Sequence, residues 1–114
     1  MLGWEIFVMR ESDGLDIASW ATGIGGIDWL YEWVKTGFAT EEQANGYPNV
    51  YTFKATPLLA LLRQGQVPAF TGREVLSDEG VWPAGEVRSL RIHEQALAQV
   101  MPDEVLKVEA WDQS

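Results

Sequence analysis

The chain has 114 residues, 46% hydrophobic and 11% aromatic, with six tryptophans, no cysteine and a formal net charge of −9. That length suits one domain, residues 1–114, burying about two thirds of its unfolded surface, and the missing cysteine excludes disulfides, thiolate metal sites and cysteine nucleophiles. The negative field repels phosphate backbones, which argues against nucleic acid, and no window approaches the ~18 apolar residues of a membrane span. Met1-Leu2-Gly3-Trp4-Glu5 lacks a basic region leading into an apolar run, so no signal peptide is read and the cytoplasm is the expected compartment.

Residues 2–9 alternate. Leu2, Trp4, Ile6 and Val8 share one face of a strand, and the other face, with Phe7 and Met9, is also half apolar. Asp13-Gly14 supplies a left-handed turn position, and residues 15–20 read as the return strand of a hairpin. Gly23-Ile24-Gly25-Gly26 then feeds a strongly apolar helix, expected over about 26–37. At about 100° per residue, Ile27, Leu30, Tyr31, Val34 and Phe38 share a face, flanked by Trp29 and Trp33. A glycine loop before a helix invites a phosphate reading. The dinucleotide fingerprint, however, needs glycine where this chain has Asp28, and no Gly-Lys-Ser/Thr ending follows. The glycines are therefore read as structural, letting a bulky helix approach the sheet.

Gly37 is expected to close that helix. Residues 38–49 read as a loop with one helical turn starting at Thr40, and Glu41-Glu42 as a solvated acidic pair. Residues 50–55 form the clearest strand, rich in β-branched and aromatic side chains. Thr56-Pro57 marks a second helix, expected over 57–64, with threonine as its cap. Leu58, Leu59, Leu61 and Leu62 fill it and Gly65 ends it. The stretch from Gln66 to Glu86 reads as a long irregular loop, a type of segment often tied to function. Within it Trp82, beside Asp78 and Glu79, is the aromatic most suited to face a partner. Residues 87–92 and 103–111 read as strands around a short helix at 93–101. On the first of them Leu90 and Ile92 are expected inward and Arg88 and Arg91 on different faces. On the last strand Trp111 shares a mixed face with Lys107 and Glu109, which suits a contact surface.

Chemistry is sparsely marked. One histidine, His93, cannot by itself build a zinc or iron centre, so no metal and no cofactor are assigned. No Gly-x-Ser-x-Gly elbow accompanies the serines, and no calcium-loop spacing is present. No catalytic residue is assigned.

The fold class expected is α+β: a mainly antiparallel sheet of about five strands, with the helices at 26–37 and 57–64 on one face. The leading functional reading is a small acidic protein-binding module that docks on a basic partner. Trp82, Asp78, Glu79 and Trp111 are its contact candidates. In charge and size such a chain resembles inhibitors that block a basic toxin or nuclease, as immunity proteins do, although no motif carries that likeness. A second reading is a small enzyme or ligand-binding domain with a pocket near the 22–26 and 66–86 loops. A third is a homo-oligomeric structural subunit pairing through strands 2–9 or 104–111 as the edges of the sheet. The oligomeric state is left open.

Overall fold

The computed structural model describes residues 3–23, 25–43, 46–68, 74–77, 80–83 and 87–113, with backbone alone for 74–77 and 80–83. Eleven elements follow in chain order: β1 (Trp4–Arg10), β2 (Asp16–Thr22), α1 (Asp28–Lys35), β3 (Thr40–Gln43), β4 (Asn49–Lys54), α2 (Thr56–Leu62), β5 (Glu74–Ser77), β6 (Gly80–Pro83), β7 (Val87–Ile92), α3 (Glu94–Gln99) and β8 (Val105–Asp112). Six strands form one antiparallel sheet in the order β3-β4-β8-β1-β2-β7, and β5 pairs with β6 as a separate hairpin. The α+β class holds, with one strand more in the main sheet than expected.

The alternation of the strands determines which face is dry. Ile6 and Val8 of β1, Trp20 of β2, Tyr51 and Phe53 of β4, and Leu106, Val108 and Ala110 of β8 are all buried. The cross-strand register brings them together: Ile6 faces Trp20 and Ala110, and Val8 faces Ala18 and Val108. Leu30 of α1, Leu58, Leu59 and Leu62 of α2, and Leu97 of α3 complete this core. A β-bulge between Val8 and Met9 of β1 and the facing stretch of β2 inserts Ile17, so Ile17 and Ala18 are both buried despite being adjacent.

α1 lies across β2 and β4. Trp29 stacks on Trp20 with ring centroids 6.3 Å apart, and Trp33 meets Phe53 edge to face at 5.0 Å. The helix is rotated from the expected face. Trp29 and Leu30 are buried, whereas Tyr31 and Phe38 are 46% and 40% exposed. Tryptophan, the larger side chain, takes the sheet-facing position and turns Tyr31 toward the rim.

Of the loop glycines, Gly26 makes the expected close approach, whereas a Cβ on Gly23 would meet nothing within 4 Å. A Cβ on Gly26 would lie 1.7 Å from the Thr22 hydroxyl oxygen, so only glycine lets the loop cross β2 there. The amides of Gly26 and Asp28 donate to the Gly23 and Gly25 carbonyls, so these two donors are spent on the loop's own backbone. Gly37, at φ 84°, turns the chain out of α1 while the Phe38 amide donates back to the Trp33 carbonyl at 2.9 Å.

Several local expectations are corrected. Residues 40–43 form edge strand β3 instead of a helical turn, because Thr40 and Glu41 pair with Thr52 and Tyr51. Tertiary pairing outweighs local preference there. The 66–86 stretch contains the β5–β6 hairpin, in which Val75 faces Trp82. Thr56 does not cap α2; its hydroxyl donates to the Pro102 carbonyl at 2.8 Å and ties the helix to the turn before β8. β1 and β8, expected as sheet edges, are interior strands with neighbours on both sides. The edges are β3 and β7.

Candidate functional site

All the strand positions that alternate with the core point to the opposite face of the sheet. Phe7 faces Ser19 on β2 and Glu109 on β8; Glu5 faces Ala21 and Trp111; Met9 faces Asp16 and Lys107. The buried positions of these strands pack with the helices, so their alternate positions form the other side, which no helix covers among the described residues. Phe7, Met9, Glu109 and Trp111 are half-buried there, and Glu5 and Asp16 are exposed.

These side chains line a broad depression of about 500 Å3, completed by Tyr47 and Gln113. Tyr47, in the turn before β4, is 68% exposed yet meets the Trp111 ring edge to face, with centroids 4.9 Å apart and planes at 87°. The two rings form one wall, and Phe7 and Met9 form an apolar floor. Glu5, Asp16 and Glu109 supply three carboxylates, and no cation among the described residues lines the hollow. Cations stand around it. Lys107 reaches Glu109 with Nζ 4.0 Å from Oε2. On the other side, β7 carries both arginines on this face: Arg88 faces Ala21 and Arg91 faces Ser19. The expected split of Arg88 and Arg91 between faces fails because β7 is irregular opposite Trp20, where Ser89 takes a φ of 55°. That irregularity also leaves Leu90, expected inward, 37% exposed.

A second depression of about 350 Å3 lies at the end of β1 and β2, lined by Gly3, Trp4, Glu5, Ala21, Thr22, Arg88 and Gln113. It touches the start of the 22–26 loop. On the helix side of the sheet, burial pushes the Tyr51 phenol well above its ordinary range, with the Tyr31 phenol and the Glu41 carboxylate adding to the shift. Tyr31 is raised in the same way, chiefly by burial and then by Asp28. Among the described residues, no group of three His, Asp or Glu side chains is arranged to hold a metal ion, and no helix is long and apolar enough to cross a membrane. His93 is exposed; its amide donates to the Ile17 carbonyl at 2.8 Å and its side chain caps nothing.

Of the contact candidates read from the sequence, Trp111 lies in the larger depression. Trp82 belongs to β6, where its backbone pairs with Val75, and its side chain lies outside the described atoms. Asp78 and Glu79 lie outside the described residues. The structure thus brings Trp111 together with residues the sequence reading did not select: Glu5, Phe7, Asp16, Tyr47 and Glu109. A signal was present in the half-apolar second face of β1, carried by Phe7 and Met9. Tyr47 had none, because its ring meets Trp111 only through the β4–β8 pairing. No family model, curated protein or solved structure shows significant similarity to the chain.

Proposed function

We propose that the protein is a small acidic protein-binding module of the inhibitor or adaptor type, acting in the cytoplasm, whose uncovered sheet face docks on a basic partner protein. The observation that carries this reading is the depression on that face. Aromatic and thioether side chains stand half-buried there, and among the described residues no helix covers them and the charged lining groups are all carboxylates. Aromatic residues and methionine are enriched at the centres of protein contacts. A net charge of −9 speeds encounter with a basic surface and disfavours nucleic acid.

Affinity capture with the tagged chain, followed by mass spectrometry and light scattering of the eluate, tests this when run beside the Glu5→Lys/Glu109→Lys double variant. A stoichiometric partner of high isoelectric point is expected, weakened at least about tenfold by the two charge reversals. Equal retention of that partner by the variant, or an eluate holding this chain alone, would overturn the reading.

A further inference from the structure

The arrangement of charge on the open face narrows what the partner presents. A partner with a broad polycationic surface would meet carboxylates in the hollow but Arg88, Arg91 and Lys107 around it. Like charges so placed disfavour a string of cations lying across the face. A single cationic side chain entering the hollow meets the carboxylates of Glu5, Asp16 and Glu109, with Lys107 held at the rim beside Glu109.

The lining distinguishes between the two cationic side chains. Phe7 and Met9 give a floor suited to an aliphatic stem. Tyr47 and Trp111, held edge to face at 4.9 Å, form a π-rich wall. Glu5 and Glu109 lie on neighbouring strands, Glu5 opposite Trp111 and Glu109 opposite Phe7, so the hollow has carboxylates on more than one side. A flat guanidinium can stack on an aromatic face while its edge donates to carboxylates, which a compact ammonium does less well. We propose that the depression is the receptor for one arginine side chain projecting from the partner, with Tyr47 and Trp111 stacking its guanidinium and Glu5 and Glu109 accepting its N–H groups. This deepens the docking reading and rests on it for the partner, but the arginine site is testable by itself.

The probes are three short peptides blocked at both ends, with arginine, lysine or citrulline between glycines. They are titrated into the intact 15N-labelled protein and followed by amide and indole NMR shifts. The arginine peptide is expected to give saturable shifts centred on the Trp111 indole N–H and the backbone of Phe7 and Glu109. Lysine is expected to bind about 2–5-fold more weakly and citrulline not measurably. Tyr47→Ala, at an exposed loop position, is expected to weaken arginine binding by about 2–5-fold with an otherwise unchanged spectrum. Glu5→Gln is expected to weaken it by a similar factor.

Equal shifts from arginine and citrulline would overturn the proposal. So would shifts scattered over the acidic surface, or arginine binding untouched by Tyr47→Ala. The two readings fail separately. If no arginine peptide binds but the Glu5→Lys/Glu109→Lys variant still loses a captured basic partner, the arginine receptor is wrong and docking stands. If arginine binds in the hollow while the variant keeps its partner, docking by this face is wrong and the arginine site stands.

Discussion

Trp29 shows how much a single side chain carries in a domain of this size. It is 7% exposed and touches Trp20, Trp33 and Phe53. Trp29→Ala removes the ring contact of α1 with Trp20 of β2 and one of its two with Phe53 of β4, and is expected to cost about 3–5 kcal/mol in denaturant unfolding. At the opposite extreme, Asp13 holds the β1–β2 turn from the surface. Its carboxylate accepts two bonds from the Arg10 guanidinium, at 3.0 and 2.6 Å, and a third from the Leu15 amide at 3.1 Å. These hold its pKa at about 2, below its ordinary 3.8. A depressed carboxylate stabilises the fold above its unfolded value, and that contribution fades as pH falls from about 3.8 to about 2. Carboxyl NMR titration is expected to place the Asp13 midpoint in the lower part of that window, and Asp13→Asn to remove the acid-limb dependence of this turn. Both the turn and its Asp-Gly signal are legible in sequence. The partner Arg10 is less so, since only the folded turn aims the guanidinium.

Among the elements, α2 makes the sharpest distinction between side chains that look alike in sequence. Leu58, Leu59 and Leu62 are buried, while Leu61 is only partly covered. Leu59→Ala is expected to cost about 2–5 kcal/mol, and Leu61→Ala clearly less, in the same chemical unfolding series. Equal losses would mean that α2 does not pack as described. Composition reveals a buried leucine helix, but its orientation depends on the strand it meets. β7 makes the same point for charge. Strict alternation puts Arg88 and Arg91 on opposite faces, and the irregularity at Ser89 puts both on one. A bulge is set by the pairing strand, so the sequence of β7 alone does not announce it.

At the scale of the whole molecule, the helices dry one face of the sheet, and among the described residues no helix covers the other. Both edge strands resist adding another strand: β3 is four exposed residues including Glu41 and Glu42, and β7 is bent by its irregularity. Sheet extension by a second copy is therefore disfavoured, and light scattering on the isolated protein is expected to give the monomer mass. A dimer that survives salt would contradict this. The face remains the larger resource for contact, and its depression draws on β1, β2, β8 and the turn before β4.

The α+β class, the first hairpin, the two apolar helices, the close approach at Gly26 and the acidic balance were legible in the residues alone. All of these follow from short-range rules: side-chain periodicity, turn residues and composition. The strand order, the burial of Trp29 in preference to Tyr31, the pairing of residues 40–43 and the meeting of Tyr47 with Trp111 emerge from the folded sheet. Those depend on which strands pair and in what register, and Tyr47 and Trp111 are far along the chain from each other and from Glu5 and Phe7. A hollow built from separate strands leaves no local spacing to read, because its geometry arises only when the sheet closes.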